Sequence, residues 1–234
     1  MLTIDIKPVA KNATQTLCHA PIRDSSGTFY NVDVILGIVT GVLVAFRVGF
    51  KLVVIRLGLD WDDWFVIASL FVGIPGTILG ALGTVTNGLG KDIWTLTPTQ
   101  ITNFGRFFYA SELLYFSNVP LLKMSLLCFF LRIFPAPGIR RIIFFTMGAN
   151  GLFGIAFLAA AIFQCTPISF FWDKWDGEHR GTCMDINALA WANAALSIAL
   201  DVWMLGIPLS QLPALRLHWK KKIGVGMMFC VGAL

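Results

Sequence analysis

From Ile142 to Trp172 the chain passes through 31 residues without one Asp, Glu, Lys or Arg. A helix rises about 1.5 Å per residue and a bilayer's hydrocarbon core is about 30 Å thick, so about 20 apolar residues cross it. This run is long enough, and it has company. Trp64 to Thr86 is also uncharged, with Pro75 in its middle; Val32 to Ile55 is interrupted near its end by Arg47 and Lys51; Ile186 to Leu215 holds only Asp201. A fifth run, between Arg106 and Arg132, carries Glu112, Pro120 and Lys123. These segments predict an all-α, polytopic transmembrane helical bundle. Composition agrees: only 13% of the 234 residues are charged, against about 25% in soluble domains. With 56% hydrophobic residues and a mean hydropathy of +0.74, a soluble globule could not cover its surface, which excludes soluble enzymes.

Local signals sharpen the helix ends. Thr97 is a good N-cap, and Pro98 suits the first helical position. The third helix is therefore predicted from Pro98 to Phe134, about 55 Å long. Arg47 and Lys51 lie four apart, share a helix face and are expected to snorkel to an interface. Pro75 is tolerated because neighbouring helices re-satisfy the freed carbonyl. The last run, Ile223 to Leu234, has 12 residues and reaches about 18 Å, little more than half a crossing. The expectation is five complete helices plus a truncated sixth, in a piece of a longer protein. Residues 1–30 form a polar tail with no apolar core of signal-peptide length, and 31–234 form the transmembrane domain. The tail contains the glycosylation sequon Asn12-Ala13-Thr14, meaningful only on the outside.

Counting Lys and Arg beside alternate loops sets orientation. One side holds ten, including Arg47, Lys51, Arg132, Arg140, Arg141 and the cluster Lys220, Lys221, Lys222; the other holds Lys91, Arg106, Lys174 and Arg180. The basic side is expected in the cytoplasm and the N-terminus outside, in agreement with the sequon. Seven of the eight Trp lie near predicted helix ends, as an aromatic belt requires. The net charge of +5 is spread among these loops, so no nucleic-acid partner is expected. No zinc spacing, P-loop or GxGxxG occurs, and the runs hold no paired carboxylates or nucleophile–base set. No metal, cofactor or enzymatic activity is expected.

Several stretches together resemble one family. They are Leu57-Gly58-Leu59-Asp60-Trp61-Asp62-Asp63-Trp64, Leu122-Lys123-Met124-Ser125-Leu126-Leu127 with Arg132-Ile133-Phe134, Phe163-Gln164-Cys165-Thr166-Pro167, Trp172 through Cys183, Leu200-Asp201-Val202-Trp203, and His218 to Ile223. They look like the fungal rhodopsin-like integral membrane domain, the seven-helix part of CFEM-containing, pathogenicity-linked, GPCR-like receptors. The same domain occurs in membrane proteins of satratoxin clusters. The resemblance implies a receptor-like sensor of an external cue in a fungal plasma membrane, with a cytoplasmic signalling partner and an unknown ligand. A transporter or export accessory linked to secondary metabolism is the alternative, and a structural membrane protein another. No internal repeat of the kind many transporters carry is visible in the five helices. The chain departs from the family pattern in lacking a Cys-rich CFEM module, of which only the segment after it (Cys18, Ala20 to Asp24) is matched, and in its cut sixth helix. A retinal-binding Lys is expected in the absent seventh helix, and Lys123 is in the wrong one.

Candidate sites follow, each with a plainer alternative. Cys165 and Cys183 flank the second outer loop; a bridge would constrain it by about 3 kcal/mol, whereas the alternative is two unrelated thiols. The charged and aromatic loop from Asp173 to Arg180 reads as a lid or as a solvated loop. Asp60, Asp62 and Asp63 read as a helix cap rather than a cation site. Cys128 and Cys230 read as packing residues. The Lys220–Lys222 cluster reads as anionic-lipid attraction, partner contact or topology signal alone. Arg132 has Leu131 and Ile133 beside it, so the acidic neighbour of rhodopsin-class receptors is missing. Lys123 and Asp201 lie about 14 and 16 Å from the same membrane edge, which suggests an ion pair between helices three and five. Glu112, the rival third-helix charge, is about 16 Å from Lys123 along the axis.

Overall fold

A computed structural model describes residues 24–55 and 60–211, with Thr14, Leu17 and Ile22. Asn12, Cys18, Cys230, the Lys220–Lys222 cluster and the 223–234 segment lie outside the described residues. Among the described residues, five helices are long and apolar enough to cross a membrane. They are α1 (Ser26–Phe50), α2 (Trp61–Ile78), α3 (Pro98–Ile133), α4 (Pro137–Ile162) and α5 (Ile186–Gln211). The all-α bundle read from hydropathy is the observed fold.

The third helix starts at the predicted cap and ends at Ile133, one residue before the predicted Phe134. The Thr97 hydroxyl accepts from Gln100 N–H at 3.3 Å, and the Gln100 side chain accepts from Thr97 N–H at 2.9 Å. This reciprocal pair satisfies two donors that a helix start otherwise leaves open. α3 packs against α2 and α4 and is the spine of the bundle. At its crossing with α4, a Cβ on Gly154 would lie 2.6 Å from Pro120 Cγ, so only glycine allows this approach. Beside it the fully buried Asn150 donates its side-chain amide to the Pro120 carbonyl at 3.0 Å.

The uncharged run from Ile142 to Trp172 is not one helix. α4 begins earlier, with Pro137 in its first turn, and ends at Ile162. The rest folds back through β1 (Cys165–Thr166) and a one-turn helix, Phe170–Asp173. Pro167 forbids helical continuation because it lacks an N–H and its ring clashes with the carbonyl four residues back. Hydropathy registers none of this, since the returning segment is as apolar as the helix. β1 pairs antiparallel with β2 (Thr182–Cys183).

α2 ends in a π-type turn, Leu79–Thr84, where the Gly80 carbonyl accepts from Val85 N–H at 3.1 Å and from the Thr84 hydroxyl at 2.7 Å. The wider turn sets Gly80 against α1. The sequence contains GxxxG pairs at Gly37/Gly41 and Gly76/Gly80, but one member of each does the packing. A Cβ on Gly37 would lie 2.8 Å from Thr77 Cγ2 and one on Gly80 2.7 Å from Asp33 Oδ2, whereas Gly41 faces open space. α1 is further strapped by a bridge between Asp24 and Lys91, with Ser25 N–H donating to the Gly90 carbonyl at 2.9 Å. Asp24 accepts from the Ser26 hydroxyl at 2.5 Å, which holds its carboxyl below the usual range. An apolar core among the described residues joins Leu127 and Phe130 of α3, and Phe134 just after it, to Ile139, Ile143, Met204 and Ile207. Side chains such as Ile38, Leu43 and Phe46 are exposed, as lipid-facing positions of α1 should be.

Candidate functional site

Three polar clusters are built on α3, at residues 112, 123 and 132. The Arg132 cluster lies at one end of the bundle, called here the basic end. There the first turn of α2 presents three carboxylates. Asp60 is its N-cap residue, and Asp63 accepts from Asp60 N–H at 3.1 Å, so the capping reading describes part of the geometry. The larger part is ionic. Arg47 Nη2 lies 2.7 Å from Asp62 Oδ2, and Lys51 Nζ lies 2.6 Å from Asp63 Oδ2. Arg132 pairs with Asp60. Asp62 and Asp63 are 3% and 0% exposed, a depth at which carboxylates persist only with partners.

Three acids and three bases balance. The carboxylate oxygens lie within 4.8 Å of one another, a spacing that suits a metal ion. Lys51 Nζ stands within 3.6 Å of all three, however, and its ammonium takes the place such an ion would occupy. Arg47 and Lys51 therefore do more than snorkel: they are counter-ions. The missing acidic neighbour of Arg132 is supplied from α2, 72 positions earlier. The sequence held a usable signal here. Two bases on one face at the end of the first run and three acids at the start of the second stand at the same membrane edge.

Deeper in the bundle, Lys123 is buried on α3. Its ammonium meets the Ser197 carbonyl at 2.9 Å, the Ser197 hydroxyl at 2.8 Å and Asp201 Oδ1 at 3.0 Å. Three donors thus have three acceptors, all on α5. Depth matching from the sequence pointed to Asp201; nothing in the sequence pointed to Ser197.

Toward the opposite end, Glu112 is not a partner of Lys123. It accepts from the Gln164 side-chain amide at 2.8 Å. Gln164 is 1% exposed and is fixed by its neighbours, since Cys165 is disulfide-bonded to Cys183 and the Gln164 carbonyl accepts from Met184 N–H at 2.8 Å. The bridge thereby sets the amide that meets Glu112. Cys128, in α3, is a free thiol.

The loop closed by the bridge leans on α3. The Trp175 indole donates to the Thr102 hydroxyl at 3.0 Å, and Arg106 sits 5.9 Å from the Trp172 ring centre. A Cβ on Gly105 would lie 2.8 Å from Trp172 Cβ, so glycine admits the one-turn helix. Tyr109 packs on Phe171 and Trp172 and donates its hydroxyl to the Ile162 carbonyl at 3.0 Å. At the exposed tip, His179 Nδ1 lies 2.7 Å from Asp176 Oδ2. That hydrogen bond raises the His179 pKa. Partial burial works against charge on Asp176, but bonds from Glu178 and His179 outweigh it and lower its pKa.

The family described as the fungal rhodopsin domain matches residues 46–234. A SAT4 family membrane protein of Emericella nidulans is 27% identical over 176 residues, 74% of this chain and 42% of that relative. Satratoxin biosynthesis SC1 cluster protein 4 of Stachybotrys chartarum is 36% identical over 84 residues, 36% of this chain and 31% of that protein. A polyenoic acids biosynthesis gene cluster protein of Metarhizium anisopliae is 29% identical over 186 residues, 75% of this chain and 48% of that relative. The chain thus spans less than half the length of these relatives. No solved structure gives a significant match.

Proposed function

This chain belongs to the fungal rhodopsin domain family, and on that premise we propose that it is the core of a receptor-like, non-enzymatic membrane sensor. The observation that carries the reading is the placement of Glu112, Lys123 and Arg132 on one helix, each bonded to a different element. Through them α3 touches the disulfide-closed loop, α5 and the α1–α2 ion cluster. A cue that moves the loop therefore acts on a helix whose far end carries a set of exchangeable ion pairs. In this reading the loop faces outward and the basic end faces the cytoplasm of a fungal plasma membrane, where a signalling protein would meet it. The ten basic residues on that side, against four opposite, and the sequon at Asn12 support the orientation. An acceptor site placed between Arg132 and Arg141 that is glycosylated, with Asn12 unmodified, would overturn it.

Spin labels at Trp64→Cys and Arg140→Cys, in a background with Cys18, Cys128 and Cys230 replaced by Ala, test the relay. Glu112→Ala and Lys123→Met are each expected to change the distance distribution between these basic-end labels. Distributions that match the parent in both variants would sink the sensor reading. The names of two relatives, which tie those proteins to biosynthetic clusters, favour a second reading, an export accessory or transporter. Cysteine accessibility that alternates between the two ends of the bundle would support that one instead.

A further inference from the structure

A cavity of about 590 Å³ runs along the seam between α1 and α2 and reaches α3 at Asn118 and Leu122. Its volume falls in the range of small-molecule sites, roughly 300–1,000 Å³. The walls are largely apolar, with Val34, Val44, Val66 and Leu70 among them. One acidic group borders it: Asp33, eighth residue of α1, forms no ion pair or hydrogen bond among the described residues, and its Oδ2 is buried without a donor. The Asn118 side-chain oxygen is likewise buried and unpartnered. Every other carboxylate described inside the five long helices has a partner: Asp62, Asp63, Glu112 and Asp201 are each bonded. Asp33 is the exception.

An unpaired acid among apolar walls at membrane depth is expensive and marks a functional position by default. The close seat against Gly80 holds the carboxylate at one end of the cavity, while the apolar lining extends along α1 to Val44, about 16 Å further at 1.5 Å per residue. A charge at one end and an apolar trough beyond it are complementary to a molecule of the opposite sign and the same layout. We propose that this cleft binds a cationic amphiphile, an apolar body with one protonated amine that pairs with Asp33. The amine supplies both the missing counter-ion and the missing hydrogen-bond donor, and the body fills the seam. The site is distinct from the ion clusters on α3, and its occupancy does not depend on whether the bundle signals or transports.

Dodecylamine and its uncharged isostere dodecanol are suitable probes, presented to the full chain in nanodiscs of zwitterionic lipid with empty discs as background. Dodecylamine should bind saturably, one per chain, and more tightly than dodecanol by roughly tenfold or more, as a charge-assisted bond requires. Asp33→Asn should reduce amine binding to the dodecanol level and leave dodecanol binding unchanged. Gly73→Leu should reduce both, because Gly73 lines the cavity and a Cβ there meets only Asn118, at 3.6 Å. Unaltered amine binding in Asp33→Asn, or no saturable binding above empty discs by a cooperatively unfolding parent, would overturn the proposal. If Asp33→Asn does not fold, Gly73→Leu decides: amine binding that survives it overturns the proposal, and its loss supports it.

Discussion

The two ends of the bundle are closed by different physics. At the basic end, α1, α2 and α3 are joined by six alternating charges around the nearly inaccessible Asp62 and Asp63. At the other end, a disulfide, a two-residue ladder and aromatic packing of Phe171 and Trp172 on α3 hold the loop. Each device suits its surroundings. Between helices in lipid there is no hydrophobic drive, so polar side chains and close packing supply the attraction. A loop outside the hydrocarbon competes with water, where ion pairs are weak and a covalent link plus apolar contact is dependable. The ionic end is reversible and the covalent end is fixed, an asymmetry that suits a device in which one end reports.

The two ends differ most at Asp63. Asp63→Ala leaves Lys51 and Arg47 short of a partner in a buried site and should cost about 3–5 kcal/mol, read by unfolding in nanodiscs. Asp60→Ala, which removes the half-exposed partner of Arg132 and the N-cap of α2, should cost less, about 1–2 kcal/mol. Equal losses would show that the cluster is not organised around its buried acids.

Lys123→Asp comes next. It places two acids together at membrane depth, where each charge costs about 2.5–3.5 kcal/mol, and should impair folding or trafficking. Adding Asp201→Lys should restore part of the loss; matching defects in the single and double variants would mean that the pair contributes nothing. Breaking the covalent end with Cys183→Ser should cost about 3 kcal/mol by the chain-entropy estimate for an 18-residue separation. The emission of Trp175 should shift as its indole leaves Thr102. A Trp175 spectrum identical to the parent's would show that aromatic packing alone closes the loop.

The smallest effect is at the loop tip. Asp176 raises the pKa of His179, so the pair's contribution is complete below the unfolded value of about 6.5 and is lost as pH rises through the folded value. Asp176 is lowered, so the carboxylate's contribution is present above its unfolded value and lost as pH falls through the folded one. The His179 ring should titrate above about 6.5 by NMR, and Asp176→Asn should bring it back. A midpoint unmoved by that substitution would dissolve the pair.

Hydropathy and capping alone determined the membrane class, the five helices and the bounds of α3, because length and apolarity are properties of contiguous residues. Charge depth along a single helix was also legible, and it pointed from Lys123 to Asp201. What the residues in order could not decide is which distant groups meet. Arg132 finds its acid on α2, Glu112 finds Gln164 beside a disulfide, and Ser197 completes the Lys123 ammonium. Each of these depends on helix rotation and on close approach at Gly37, Gly80 and Gly154, which pairwise packing fixes in three dimensions. The fold-back after Ile162 was hidden for a related reason: an apolar segment reads the same whether it lies in lipid or against α3. Pattern sets which residues leave water, and tertiary structure sets which neighbours they find.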